Sequence, residues 1–230
     1  MLKIPTQILT KESWRPMSKT TLIIIRHGFS EANEQNVFAG SYNIHLTETG
    51  KKQAQLTAEY LADTPIDKIY SSDLFRAEET AAPIAAQKNL PIERRASLRE
   101  IYGGEWEGKP YFALIEKYKE DFSVWMDNFA LARCTGGESI REMYARATAA
   151  IREILAENIG KTVCVVSHAT VIRALITYFS NIPFEEINRV PFVPNSSVTT
   201  VEIEDGRFNV LKKGFADHLG KLTTVLPSKA

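Results

Sequence analysis

The sequence predicts an α/β fold, a three-layer sandwich with a mostly parallel central sheet, helices on both faces and a small helical cap insertion. Two short apolar runs, Leu22 to Ile25 and Thr162 to Ser167, are typical of buried strands that are covered on both faces. Amphipathic helical patterns lie between the short strand patterns. This alternation of strands and helices favours three layers around a parallel sheet.

The other elements follow from local signals along the chain. Thr47 and the Ser71-Ser72-Asp73 cluster are suited to cap two helices, of which the second runs to about Lys88. An alternating segment with an Asp205-Gly206 turn predicts an edge hairpin. The remaining predictions are a short helix or turn at 29–33, strands at 67–70 and 90–95, two short helices within 109–132, a long helix from about 138 to 158 and a helix at 170–179.

Length and composition limit the classes of function. The chain has 230 residues, 44% of them apolar, with 28 basic and 28 acidic residues. We expect one main domain at 21–215 with a cap-like insertion at about 105–135, an N-terminal extension at 1–20 and a C-terminal tail at 216–230. No basic tract favours nucleic-acid binding, and no apolar stretch has the length of a membrane helix or a signal peptide. A small-molecule partner, bound by a monomer or a homodimer, fits these limits.

Cysteine and histidine usage predicts neither a disulfide framework nor a metal site. Cys134 and Cys164 are the only cysteines, which favours a reducing, cytoplasmic compartment. The cysteines and the four histidines lack the spacing of zinc ligands. We therefore expect no metal and no cofactor.

Charged and titratable side chains stand where the apolar strands end. Arg26 and His27 follow the first apolar strand and His168 follows the second, each before a helix start that suits phosphate. Arg76 lies in the first turn of another helix, and Glu100 lies in a glycine-rich loop. Phosphoryl transfer through a histidine needs this set. One imidazole attacks, cations hold the phosphoryl oxygens, and a carboxylic acid protonates the leaving oxygen.

Five sequence blocks, taken in order, resemble the histidine phosphatase superfamily, the phosphoglycerate-mutase-like group. The resemblance covers roughly residues 20–215 and is strong because all five blocks fall on fitting elements. The blocks are Arg26-His27-Gly28, Ser72-Asp73-Leu74-Phe75-Arg76-Ala77, Leu98-Arg99-Glu100, Gly104-Glu105-Trp106-Glu107-Gly108 and Ser167-His168-Ala169-Thr170-Val171-Ile172-Arg173. The fourth block is similar to the phosphatase branch of the family.

The resemblance implies a metal-independent phosphomonoester hydrolase that works through a phosphohistidine. His27 is then the nucleophile, Arg26, Arg76 and His168 complete the phosphate pocket, and Glu100 acts first as general acid and then as general base. To attack, the His27 ring must be neutral, with its second nitrogen donating to a backbone carbonyl. His168 is expected to be protonated, since a positive ring adds charge to the pocket.

Three further residues are expected to contact the substrate. The resemblance gives Asn33 a side-chain contact. Phe29 and Ala169 stand at positions where this chain departs from the commonest family pattern, a polar residue after the glycine and a Gly-Gly after the second histidine. Phe29, together with the aromatic residues of 111–129, suggests a substrate with a flat or apolar portion. The alternative is that those aromatic side chains pack the cap onto the sheet.

Several residues have structural alternatives. Asn33 could be an ordinary helix residue, and Glu105 and Glu107 compete with Glu100 for the role of the acid. Glu138 and Ser139 are at least as well suited to starting a helix as to contacting a substrate. His45 and His218 are expected to be structural.

Two other functions remain beside the phosphatase. A phosphoglycerate mutase would return the phosphoryl group to the substrate, but the segment after Glu100 lacks the long insertion with paired arginines expected of mutases. A non-catalytic relative that binds a phosphorylated ligand would have lost a core residue, and all core residues are present.

Overall fold

The central sheet has six strands and mixed direction. The computed structural model describes residues 19–224, so the predicted N-terminal extension lies almost entirely outside the described residues, as does the end of the tail. The strands are β1 Thr20–Arg26, β2 Lys68–Ser71, β3 Ile92–Arg94, β4 Thr162–Ser167, β5 Val198–Glu204 and β6 Arg207–Phe215. Their order in the sheet is β3-β2-β4-β1-β5-β6.

Strand directions agree with the predicted α/β class. Strands β3, β2, β4 and β1 are parallel, whereas β5 runs antiparallel to β1 and pairs with β6 in a hairpin. The hairpin turns at Asp205 and Gly206, whose φ angles of 54° and 72° belong to the turn type that matches strand twist. The α/β fold and the edge hairpin are confirmed, and two of the six strands belong to the hairpin.

Helices cover both faces of the sheet. They are α1 Glu31–Gln35, α2 Glu48–Tyr60, α3 Phe75–Lys88, α4 Tyr111–Lys117, α5 Lys119–Asp127, α6 Ile140–Glu157 and α7 Ala169–Phe179. Strand β1 shows how the layers form, because its successive side chains point to opposite faces. Ile23 and Ile25 pack in one cluster with α2 and α3, whereas Leu22 and Ile24 pack in the other with α6 and α7. Of the helices in the described chain, none has the length and apolar character needed to cross a membrane.

Aromatic residues of the 105–129 segment fill the interior. Trp106 is fully buried, and Phe38 and Trp125 meet its ring edge-on with centroids 5.4 and 5.6 Å away. Trp125 in turn packs edge-on against Phe129 at 4.8 Å. These side chains join the core cluster on the α6–α7 face. Packing of the cap, and not an apolar substrate wall, therefore accounts for most of the aromatic residues in this segment.

Candidate active site

Strand register places the two site histidines next to each other. Arg26 pairs with Ser167 across the parallel strands β1 and β4, so the next residue of each strand leaves the sheet at the same edge. The ring centroids of His27 and His168 lie 5.2 Å apart, and the two side chains are almost completely buried. The carboxyl ends of parallel strands commonly form ligand sites, as here.

His27 has the ring orientation expected of a nucleophile. Its Nδ1 lies 2.7 Å from the carbonyl oxygen of Gly28. Because a carbonyl can only accept, Nδ1 carries the proton and Nε2 keeps its lone pair. Thr80 Oγ1 accepts the Gly28 N–H at 2.9 Å and so holds the same loop from α3.

Two buried arginines border the histidines, and backbone carbonyls hold both. Arg26 Nη1 donates to the Val193 carbonyl at 2.7 Å. Arg76 donates to the carbonyls of Tyr42 and Gly40 at 2.9 and 2.7 Å. Burial lowers the pKa of each guanidinium to about 10, and the nearby charge of Glu100 acts in the opposite direction. Both arginines therefore stay positive at neutral pH.

Four nitrogen atoms of the site have no hydrogen-bond partner within residues 19–224. They are Nε of Arg26, Nε of Arg76, and both ring nitrogens of His168, all of them fully buried atoms. Leaving a buried donor unpaired costs about 1–3 kcal/mol. The two arginine Nε–H groups and the ring N–H of His168 are unpaired donors, which is typical of a site that binds an oxygen-rich anion such as phosphate.

Both histidines are neutral in this setting. Burial, and then the positive charges of Arg76 and Arg26, lower the pKa of His27 well below 6.5. Burial and the same two arginines also lower the pKa of His168, with a further contribution from His27. The neutral His27 agrees with its expected role. Burial and the neighbouring arginines oppose the expected protonation of His168, an effect that the sequence does not reveal because it holds no measure of how deeply the ring is buried.

The charge state of the histidines predicts how stability depends on pH. An unfolded histidine has a pKa of about 6.5, so below that pH the unfolded chain binds protons that the native chain excludes. The contribution of the two neutral histidines to the free energy of unfolding is therefore fully present above about pH 7 and is lost as the pH falls below it. For each histidine, the free energy of unfolding decreases by up to about 1.4 kcal/mol for each pH unit below the unfolded pKa. Urea unfolding at pH 7.5 and 5.5, in buffer without phosphate, measures this dependence, and His168→Asn is expected to weaken it. Equal pH dependence in the two proteins would contradict the neutral assignment.

Glu100 is fixed at the beginning of α7. Its Oε2 accepts the Thr170 N–H and its Oε1 accepts the Ile101 N–H, both at 3.1 Å. Thr170 is the second residue after His168, which puts the carboxyl group beside the histidine pair. The two competing acids are engaged elsewhere. The Glu105 carboxylate accepts from the Tyr118 hydroxyl. The Glu107 carboxylate accepts the backbone N–H groups of Ser41 and Gly103.

The loop that carries Glu100 is held by an ion pair which the sequence did not reveal. Arg146 of α6 contacts Glu138 at 2.8 Å, and the same guanidinium donates to the carbonyls of Ser97 and Arg99 at 2.9 Å. Glu138 also accepts the Tyr102 N–H. The Glu138 side chain therefore orients the acid loop, while Ser139 caps α6 together with Glu142, as its structural alternative predicts.

The three predicted substrate contacts have different surroundings. Asn33 Oδ1 accepts from the Ser30 N–H and from Asn195, so the amide hydrogens are the donors left for a ligand. Phe29 is half-buried. Its backbone N–H donates to Gln53 Oε1, and its carbonyl oxygen accepts from the Thr47 hydroxyl. Ala169 is the half-buried first residue of α7. Direct contact of all three with a substrate stays a prediction.

His45 and His218 lie outside the cluster. His45 pairs with Glu79 at 2.5 Å and stacks on Phe75. His218 stacks on Tyr60 with centroids 4.7 Å apart, and its Nε2 lies 3.0 Å from the Thr57 hydroxyl. Both contacts agree with the expected structural roles.

A cleft of about 670 Å³ opens beside Glu100. Its lining includes side chains of both signs of charge, among them Arg99, Glu107, Glu138, Glu142 and Arg146. A volume of this size suits a small molecule. Within the described chain, no three or more His, Cys, Asp or Glu side chains are grouped so as to hold a metal ion.

Close backbone approach explains two glycines near His27. A Cβ on Gly28 would lie 2.7 Å from the Gly50 carbonyl oxygen, and a Cβ on Gly50 would lie 2.1 Å from that of Phe29. Neither position has room for a side chain. The backbone of α2 at Gly50 can therefore pack directly against the loop that follows His27. No sequence signal predicted this contact.

Comparison with known proteins identifies relatives over most of the chain. The model of the histidine phosphatase superfamily (branch 1) matches residues 22–215. Phosphoserine phosphatase 1 of Hydrogenobacter thermophilus is 34% identical over 200 residues, which cover 87% of this chain and 94% of the relative. Phosphoglycerate mutase-like protein 4 of Arabidopsis thaliana is 32% identical, with 86% of each chain covered.

Solved structures include a protein of the same fold. Bacillus stearothermophilus YhfR superposes with a TM-score of 0.83 at 30% identity. The alignment covers 87% of this chain and 99% of that structure.

Proposed function

We propose how this chain, which belongs to the histidine phosphatase superfamily and is a phosphatase, carries out its reaction. The observation that supports the proposal most is the convergence of a neutral His27 with two buried arginines whose Nε atoms have no partner in the described chain. An attacking imidazole and a pocket for a dianion are the two requirements of phosphoryl transfer through histidine.

In the first step, His27 Nε2 attacks phosphorus, and the bond from phosphorus to the ester oxygen breaks. Arg26, Arg76 and His168 donate to the nonbridging oxygens and stabilise the charge that develops on them. Glu100, as the carboxylic acid, passes its proton to the departing oxygen. The products of this step are the free alcohol and a phosphohistidine.

In the second step, water replaces the alcohol. Glu100, now a carboxylate, takes a proton from the water as its oxygen attacks the phosphorus of phosphohistidine. The bond from phosphorus to nitrogen breaks, inorganic phosphate leaves, and His27 regains its lone pair. The reaction needs no metal ion, since the cationic side chains supply the charge that a metal would otherwise provide.

The substrate class that we propose is a small, polar phosphomonoester whose alcohol part carries charged or hydrogen-bonding groups. The charged side chains that line the cleft beside Glu100 support this class, because the alcohol leaves on the side of the acid. L-Phosphoserine, suggested by the name of one relative, is the first compound to test. Two buried free cysteines support a reducing, cytoplasmic location.

A substrate screen tests the proposal. Purified protein is expected to release inorganic phosphate from p-nitrophenyl phosphate and, with higher kcat/KM, from phosphoserine or another polar ester, equally well with and without EDTA. Loss of activity in EDTA would contradict metal independence. Preference for aryl over all polar esters would contradict the substrate class. Interconversion of phosphoglycerates that depends on a bisphosphorylated primer would favour the mutase, and tight binding without turnover would favour a binding protein.

A further inference from the structure

Asn195 is a buried amide beside the nucleophile that the proposed mechanism does not use. It lies just before β5 and is 2% exposed. Its Nδ2 lies 3.1 Å from the His27 carbonyl oxygen, 3.3 Å from that of Gly28 and 3.1 Å from Asn33 Oδ1. The Asn195 amide therefore contacts His27, Gly28 and Asn33, of which Asn33 is a residue predicted to bind substrate.

The Gly28 carbonyl links Asn195 to the chemistry of His27. The same oxygen accepts the N–H of His27 Nδ1 at 2.7 Å. That hydrogen bond keeps the proton on Nδ1 and leaves Nε2 free to attack. By holding the carbonyl in place, Asn195 holds the partner that selects the reactive tautomer.

The orientation of the Asn195 amide follows from its neighbours. Three oxygen acceptors surround Nδ2, so the NH₂ group fits on that side and an oxygen does not. On the other side, Oδ1 accepts from the Thr224 hydroxyl at 3.1 Å, and that hydroxyl in turn accepts the Asn195 N–H at 3.1 Å. Thr224 therefore anchors Asn195 through two hydrogen bonds from the C-terminal segment.

A second buried amide joins the same two segments. Gln53 is fully buried, its Oε1 accepts the Phe29 N–H at 2.7 Å, and its Nε2 donates to the Leu222 carbonyl at 2.7 Å. The backbone on both sides of Gly28 is thus held by amides that the C-terminal segment holds in turn. Buried polar networks in which each member is paired are rigid, because breaking one bond leaves an unpaired group.

We infer that Asn195 is a positioning residue for His27 and that Thr224 is the anchor through which the C-terminal segment keeps Asn195 in place. The inference rests on the proposed role of His27 as nucleophile. Asn195 touches neither substrate nor phosphate in this role. It acts through the Gly28 carbonyl, and through Asn33 it aligns a predicted substrate contact with the nucleophile.

Asn195→Asp tests the inference with almost no change of shape. The carboxylate turns an oxygen toward three acceptors, which repel it, and its negative charge favours protonation of the neighbouring His27. We expect kcat/KM for p-nitrophenyl phosphate to fall at least about 100-fold at neutral pH. We also expect the acidic limb of the kcat/KM profile to move to higher pH. A folded variant with the rate and pH profile of the wild type would overturn the inference.

Thr224→Val and Thr223→Val form a matched pair that does not depend on the folding of Asn195→Asp. Thr224→Val removes the anchor, and we expect kcat/KM to fall about tenfold with a smaller change in KM. Thr223 lies next to it, but its hydroxyl bonds to Ala216 and Gly220, so Thr223→Val is expected to keep the wild-type rate. Equal rates for the two variants would overturn the inference. Failure of the wild type to form a phosphorylated His27 would instead overturn the proposed function.

Discussion

His27→Ala is expected to abolish turnover, with kcat/KM for phosphoserine and for p-nitrophenyl phosphate reduced by at least about 10⁴-fold. The reason is that the hydrogen bond from Nδ1 of His27 to the Gly28 carbonyl leaves its Nε2 free to attack. His168 is the other imidazole of the site, and no hydrogen bond within the described chain fixes its tautomer. The direct measurement is labelling of the protein by a radiolabelled phosphoester after alkaline quench, since phosphohistidine survives alkali.

The control for this experiment is His45→Ala. His45 is an exposed histidine that pairs with Glu79 outside the site, so its loss is expected to leave both the label and the rate unchanged. Wild-type protein should carry the label on position 27. Label that persists in His27→Ala would contradict the assignment of the nucleophile, and so would a wild type that turns over without forming any adduct.

Glu100→Gln is expected to divide substrates by their leaving groups. An alkoxide such as that of serine is a poor leaving group and needs the proton, so kcat/KM for phosphoserine should fall about 10²- to 10⁴-fold. p-Nitrophenolate leaves without protonation, so kcat/KM for its ester should fall less than about tenfold. Glutamine keeps the shape of the side chain and can still accept the Thr170 N–H. It cannot also accept the Ile101 N–H, and a change in the loop would lower kcat/KM for both esters, so the ratio of the two losses measures the missing proton donor.

Glu105→Gln is the matched control for the acid. Glu105 lies in the same segment, but its carboxylate accepts from the Tyr118 hydroxyl at 3.0 Å. We expect this variant to keep the wild-type ratio of the two kcat/KM values. Equal losses for phosphoserine and p-nitrophenyl phosphate in Glu100→Gln would contradict general acid catalysis by this residue. A selective loss in Glu105→Gln would move the role to that residue.

Much of the fold could be predicted because its signals are local. An apolar run such as Leu22 to Ile25 specifies a covered strand, and the Asp205-Gly206 pair specifies a tight turn. Cap residues such as Thr47 and Ser139 located the starts of α2 and α6. The direction of the β5–β6 hairpin relative to β1 was not predictable from such signals, because it depends on pairing between segments far apart in the chain.

The sequence predicted which residues form the candidate site, but it did not predict which residues hold them in position. Two arginines, two histidines and one acid follow strand ends or begin helices, and parallel strands bring such positions to one edge. Asn195, Gln53 and Arg146 gave no signal, since a single amide or guanidinium in a loop or helix has many possible partners. Their contacts reach across the chain, and Asn195 is 168 residues from the His27 carbonyl that it holds.

By itself, the sequence determined the α/β class, the family and the set of groups that can carry out phosphoryl transfer. These features depend on short stretches of residues, namely on strand periodicity and on the chemistry of single side chains. The tertiary structure alone decided that burial lowers the pKa of His168, that most aromatic residues of the cap are core and that a C-terminal hydroxyl is bonded to Asn195 beside His27. Those outcomes depend on desolvation and on contacts between distant segments. A buried charge loses its water only when the whole fold closes around it.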